Sequence, residues 1–189
     1  MKLIDKAVVF AAKAHQGTVR RGSGQPYIFH PLEVMSIASL MTLDIDILCA
    51  AVLHDTVEDT SVTFDDIKRE FNDRIALFVS YESENKREEM SKEDSWLIRK
   101  QETVDIINNC KEIGVKIVCL SDKVSNLRSF KLLKYQYGLD HMFDLFNQKD
   151  PKMHYWYYKS LRDGMKELSN EPIYMEYCDL IKDIFEEEE

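Results

Sequence analysis

Apolar residues recur at three- and four-residue spacing along almost the whole chain, the period of a helix that buries one face. Leu3, Ala7, Val8 and Ala11 mark a first helix, and Leu32, Met35, Ile37 and Met41 a second. Ile47, Leu48, Ala51 and Val52 carry a third into the stretch AVLHDTVEDT, residues 51–60. Thr63 precedes Phe64 and has Asp66 three residues on, a capping box written with aspartate, and the stripe Phe64, Ile67, Phe71, Ile75 predicts a fourth helix. The polar run YESENKREEMSKEDS, residues 81–95, predicts a loop before a helix bearing Trp96, Leu97, Val104 and Ile107. The next helix starts near Val115, with Ile117, Leu120, Val124 and Leu127 on its core side. Asp150–Pro151 reads as the N-cap and first-turn proline of a late helix, and Pro172 opens the last. No strand alternation, repeat or linker interrupts the pattern. The expected fold is all-α: a single compact bundle of about eight or nine helices, one domain over residues 1–189.

Composition narrows the class without changing the fold. Hydrophobic residues at 44% and charged residues at 31% are ordinary for a soluble globular chain. A net charge of −9 argues against nucleic acid as a partner, since that binding needs a basic surface. Part of the charge is the tail FEEEE, residues 185–189, which reads as a solvated helix end. No apolar run is long enough to span a membrane. The start MKLIDKAVVFAAKAH contains Asp5 and no small-residue cleavage site, so it reads as an amphipathic helix and not a signal peptide, and a cytoplasmic location is expected. Cys49, Cys110, Cys119 and Cys178 show no C-x-x-C spacing and are expected as reduced thiols.

AVLHDTVEDT is where chemistry enters. His54 and Glu58 are four apart, Asp55 and Asp59 four apart, and Asp55 and Glu58 three apart, so they share neighbouring faces of what reads as one rigid helix. Three carboxylates that close stay ionised only if a cation, hydrogen-bond donors or water compensate them. In PYIFHP, His30 sits just before Pro31, at a helix start. In KIVCLSDKVSNL, Asp122 interrupts an apolar helix on the face shared by Val118 and Asn126. A buried lone aspartate needs a cation, whether Lys123 or Arg128 in a salt bridge or a metal. Two histidines and two aspartates from three helices form a mixed N/O donor set that suits manganese, iron or zinc better than calcium.

In this order, RRGSGQPYIFHP, the HD pair, the ED pair and LSDKVSNL resemble the HD-domain alarmone hydrolases, small free-standing relatives of the hydrolase half of RelA/SpoT enzymes. NKREEMSKEDSWLIRK is similar to that family's acidic-Lys stretch followed by Trp-x-x-Arg-Lys. The resemblance is strongest over residues 1–130. It implies hydrolysis of the 3′-diphosphate of guanosine tetra- or pentaphosphate to GDP or GTP and pyrophosphate, usually with manganese. Carried over by motif, His30, His54, Asp55 and Asp122 would hold the metal, and Glu58 and Asp59 would orient or deprotonate the attacking water. Asn126 would contact the ribose, Arg20 and Arg21 the base, and Lys123 the phosphate. Lys116, Lys86 and Arg128 are further candidates for a cationic wall.

The chain departs from the pattern in places. RRGSGQPY is one residue longer than the commoner R-K-S-G-E-P-Y and has Gln25 for the glutamate, and Asn85 stands where relatives often have aspartate. The aromatic run HYWYYKSL, residues 154–161, reads as helix packing before a base platform. With no room for a synthetase domain, the expectation is a hydrolase acting on a small-molecule nucleotide, without nucleic acid or membrane, and with self-association left open. The alternatives are an HD-domain phosphatase acting on another nucleotide such as NADPH, and a non-catalytic nucleotide-sensing domain.

Overall fold

The computed structural model describes residues 1–87 and 89–186, with no strand among them beyond an isolated antiparallel bridge between Val19 and Pro26. The chain runs through α1 (Leu3–Ala14), α2 (Phe29–Ala38), α3 (Ile45–Leu53), α4 (Thr56–Asp59), α5 (Phe64–Glu70) and α6 (Asp73–Glu82). It continues through α7 (Trp96–Asn109), α8 (Ile113–Tyr137), α9 (Leu139–Met142), α10 (Pro151–Gly164) and α11 (Pro172–Phe185). Nine of these helices have seven residues or more, and α4 and α9 are single turns of four. The all-α expectation holds.

Two helices organise the core. Every residue of α3 from Ile47 to Leu53 is buried, because α1, α2, α6 and α8 all pack on it. The long α8 lies against α2, α3, α6 and α11, and α7 packs on α10. Close approach at the start of α8 depends on Gly114: a Cβ there would stand 2.9 Å from Phe78 Cζ and 3.0 Å from Ile47 Cδ1. Between α1 and α2 the chain folds into a tight loop, with Arg20 N–H donating to Gln25 O at 2.7 Å and Tyr27 N–H to Thr18 O at 3.0 Å. This loop delivers Arg20 and Tyr27 to the end of α2 that carries His30.

Local signals account for the boundaries. Thr63 and Asp66 cap each other reciprocally, and Asp150 Oδ1 accepts the Lys152 N–H at 2.9 Å with Pro151 in the first turn. The predicted fourth helix is in fact two: at Asn72 the side-chain Oδ1 accepts the Ile75 N–H at 2.8 Å, ending one helix and starting the next. The rigid helix expected through AVLHDTVEDT is also broken. His54 and Asp55 form a turn between α3 and α4. Cys49 and Cys119 are buried and all four thiols are free. Of the acidic tail, Glu187–Glu189 lie outside the described residues. Among those described, no helix is long and apolar enough to cross a membrane.

Candidate functional site

Three helical elements meet around four predicted ligands. His30 sits in the first turn of α2, His54 and Asp55 at the break after α3, and Asp122 in the middle of α8. His30, His54 and Asp122 each offer a donor atom within 4.8 Å of the others, and all three residues are buried. Asp55 joins through Oδ2, which lies 2.9 Å from His54 Nε2 and 3.4 Å from His30 Nε2. Asp122 Oδ1 is 3.1 Å from His30 Nε2 and 3.6 Å from His54 Nε2. The helix break has a purpose in this geometry: it turns adjacent residues His54 and Asp55 toward one point, which a regular helix spreads about 100° apart.

The donor set fits a divalent metal ion. His54 Nδ1–H donates to Ala51 O at 2.9 Å, which directs the Nε2 lone pair into the cluster. That Nε2 is buried and, despite its short distance to Asp55, has no partner in hydrogen-bond geometry. Burial alone would lower the His54 imidazole, but Asp55 and Asp122 beside it push it well above its usual value. Burial likewise opposes ionisation of Asp55, yet the His54 and His30 rings hold its carboxyl well below the usual range. Asp122 behaves the same way against burial, held down by Lys123 and both imidazoles. Uncompensated, so many charges in one buried place would be costly, and a cation relieves them.

The next layer fixes these carboxylates. Tyr27 OH donates to Asp55 Oδ2 at 2.7 Å and lies 3.1 Å from Asp59 Oδ2. Asn126 Nδ2 donates to Asp122 Oδ1 at 2.7 Å, and its own Oδ1 accepts from Arg20 at 2.5 Å. Glu58 accepts the Glu84 N–H at 3.2 Å. Burial, then the charges of Asp55, Glu84 and Asp59, raise its carboxyl to about 7, with the Glu84 N–H opposing. A carboxyl there is half ionised near neutral pH and suited to taking a proton.

A cleft of about 270 Å³ opens over the cluster. Arg20, Glu58, Asp59, Lys123 and Asn126 line it with the four predicted ligands, but Arg21 does not. The Arg21 side chain turns outward and reaches Asn147 at 3.4 Å on the surface. Lys123 lines the cleft with its ammonium 2.5 Å from Asp122 Oδ2 and 3.7 Å from Glu82. The weaker cation candidates lie elsewhere. Lys116 pairs with Glu167 at 2.6 Å, Arg128 with Glu33 and Glu176, and Lys86 with Asp59 at 3.1 Å.

Sequence reasoning missed several lining residues. Arg99 and Lys100 enter the cleft and share Glu84, each at 2.7 Å. The signal was WLIRK, whose spacing puts Trp96, Arg99 and Lys100 on one helix face. Glu82 contributes a buried carboxyl that burial raises. The run HYWYYKSL is both packing and wall, since His154, Tyr157 and Tyr158 are buried and still line the cleft with Trp96, Phe130 and Phe146. Burial lowers the His154 imidazole to about 4, so it adds a neutral ring to that aromatic end.

Comparison with known proteins agrees with this geometry. The HD domain family matches residues 7–141. A GTP pyrophosphokinase of Myxococcus xanthus is 34% identical over 144 residues, covering 75% of this chain and 18% of the relative. The bifunctional (p)ppGpp synthase/hydrolase SpoT of Escherichia coli is 29% identical over 191 residues, 97% of this chain and 26% of the relative. A guanosine-3′,5′-bis(diphosphate) 3′-pyrophosphohydrolase of Aquifex aeolicus is 32% identical over 126 residues, 67% of this chain and 17% of the relative. The chain thus spans about a sixth to a quarter of the length of these relatives. Among solved structures, a metazoan SpoT ortholog described as hydrolysing ppGpp superposes with a TM-score of 0.76 at 20% identity, over 96% of this chain and 95% of that one. A Listeria monocytogenes protein gives 0.71 at 29% identity, over 87% and 98%.

Proposed function

The chain belongs to the HD domain family, and from that premise we propose that it is a manganese-dependent hydrolase of guanosine tetra- and pentaphosphate, releasing the 3′-diphosphate as pyrophosphate and leaving GDP or GTP. The observation that carries this reading is the His30, His54, Asp55 and Asp122 donor cluster at the floor of a cleft beside Glu58, a carboxyl raised to about 7. The names of the relatives supply the substrate class.

In this reading His30, His54, Asp55 and Asp122 would hold one divalent ion, whose chemistry when bound would be to acidify water and polarise a phosphoryl oxygen. Glu58 takes the proton from the attacking water. Asp59, held by Tyr27 and Lys86, keeps that water on the phosphorus side. Arg20 and Asn126, already joined at 2.5 Å, present a guanidinium and an amide to the base and ribose. Lys123 stabilises Asp122 and Glu82, and Arg99 and Lys100 take the role of phosphate cations that the sequence reading gave to Lys123. The whole chain acts as one catalytic unit in the cytoplasm.

Exhaustive chelation should abolish release of pyrophosphate from guanosine tetraphosphate and lower the melting midpoint while leaving the helical circular dichroism spectrum intact, because the core folds around α3 and α8 without the ion but loses the stabilisation its binding adds. Added Mn²⁺ should restore turnover. Full activity in protein shown by elemental analysis to lack metal would overturn the proposed mechanism.

Arg20 and Arg21 should separate in kinetics. Arg20→Ala removes a cleft side chain bonded to Asn126, so KM should rise by roughly tenfold or more with kcat little changed. Arg21→Ala removes an outward side chain and should move KM less than twofold, roughly speaking. Equal KM effects would show that Arg21 swings into the cleft when substrate binds.

A further inference from the structure

We propose that Ser125 and Glu33, fastened by Arg128, are positioning residues that hold the His30 imidazole in the tautomer whose Nε2 lone pair faces the cation site; this rests on His30 being a metal ligand. The Ser125 hydroxyl is buried 2.8 Å from His30 Nδ1 and 2.7 Å from Glu33 Oε2. A hydroxyl has one proton to give. Glu33 is a carboxylate that accepts from Arg128 at 3.0 Å, and Arg128 is itself fixed by a two-pronged contact to Glu176 at 2.6 and 2.9 Å. Such a carboxylate accepts only, so the Ser125 proton goes to Glu33. The Ser125 oxygen then accepts from His30 Nδ1–H. His30 Nε2 is left with its lone pair, 3.1 Å from Asp122 and 3.4 Å from Asp55, where a cation shared with those carboxylates would sit.

This relay joins α2, α8 and α11, and it differs from the device used at the other histidine. His54 Nδ1–H donates to a backbone carbonyl, Ala51 O, which no side-chain substitution removes. His54 is therefore an internal control. Glu33→Gln gives the sharpest contrast because it preserves shape and reverses proton direction. Arg128 Nη1 would draw the amide oxygen of the glutamine toward itself, turning the amide NH₂ toward Ser125. Ser125 would then accept from that NH₂ and donate to His30 Nδ1. The ring proton would move to Nε2 and block the site.

The test uses the 189-residue protein with ¹⁵N-labelled histidine, studied metal-free at alkaline pH, together with Mn²⁺ titrations. In the wild type both His30 and His54 should carry the proton on Nδ1. In E33Q only His30 should shift its proton to Nε2, and Mn²⁺ affinity should fall by about 10–100-fold. Ser125→Ala should also weaken Mn²⁺ binding, and Ser125→Thr, which keeps the hydroxyl, should restore it. Glu33 is half-exposed, so the isosteric E33Q change keeps the fold. E33Q with His30 still protonated on Nδ1 and wild-type Mn²⁺ affinity would overturn the relay alone. A His30→Ala protein that binds Mn²⁺ as the wild type does would instead overturn the ligand role of His30, and the proposal with it.

Discussion

Glu58→Gln is expected to lower kcat for guanosine tetraphosphate by about 10²–10⁴-fold, the range for losing a positioned general base, with Mn²⁺ affinity retained. The amide keeps the size of the carboxylate and cannot accept a proton from water. The pH profile adds a second readout. Burial first, then Asp55, Glu84 and Asp59, raises the Glu58 carboxyl to about 7. A base works only when ionised, so kcat/KM of the wild type should rise with pH through that region and level off above it. A cation beside Asp55 offsets part of the repulsion, placing the limb of the loaded enzyme at or below that value. In E58Q this acid limb should vanish. An unchanged limb would assign it to another group, and loss of Mn²⁺ in E58Q would move Glu58 into the ligand set.

Asp122→Asn should have the opposite signature: Mn²⁺ affinity falling by more than about a hundredfold, beyond the loss expected from an outer-layer partner, with activity recovered in part at high Mn²⁺. Asp122 brings Oδ1 to both imidazoles, while its Oδ2 neutralises the buried ammonium of Lys123. The substitution also leaves Lys123 with only Glu82, 3.7 Å away, so a stability loss of a few kcal/mol should accompany it. Isothermal titration with Mn²⁺ and denaturant melts on the same sample separate the two effects. Wild-type Mn²⁺ affinity in D122N would remove Asp122 from the ligand set.

Much of this arrangement was legible in the sequence for identifiable reasons. Helical periodicity is local, and so are the caps at Thr63 and Asp150, which form as their spacing predicts. The splits at Asn72 and at His54–Asp55 were hidden because the apolar stripe continues across both. At Asn72 a side-chain cap overrides the stripe, a competition that the adjacent Asn-Asp hinted at. At His54–Asp55 the convergence of three helices decides the backbone, which no local pattern records. Side-chain direction was the harder problem. Arg20 and Arg21 are neighbours in sequence, but the tight loop sends one to Asn126 and the other to the surface. The charge of Lys123 is visible in the sequence, whereas the buried Glu82 that faces it comes from another helix. Tyr27 escapes notice for a similar reason: its role is a hydroxyl bridging Asp55 and Asp59, visible only once the loop before α2 meets the turn at His54–Asp55 and α4.

Product identity after brief incubation with guanosine tetraphosphate and Mn²⁺ tests the central claim most directly. If the cluster of His30, His54, Asp55 and Asp122 sits beside the phosphorus nearest the ribose, with Glu58 on the attacking water, the diphosphate is cleaved from the 3′-oxygen as one unit. The account predicts pyrophosphate and GDP in equimolar amounts from the first turnover, with NADPH turned over more slowly under matched Mn²⁺. Orthophosphate as first product with a phosphate left on the 3′-oxygen, or faster turnover of NADPH, would contradict it.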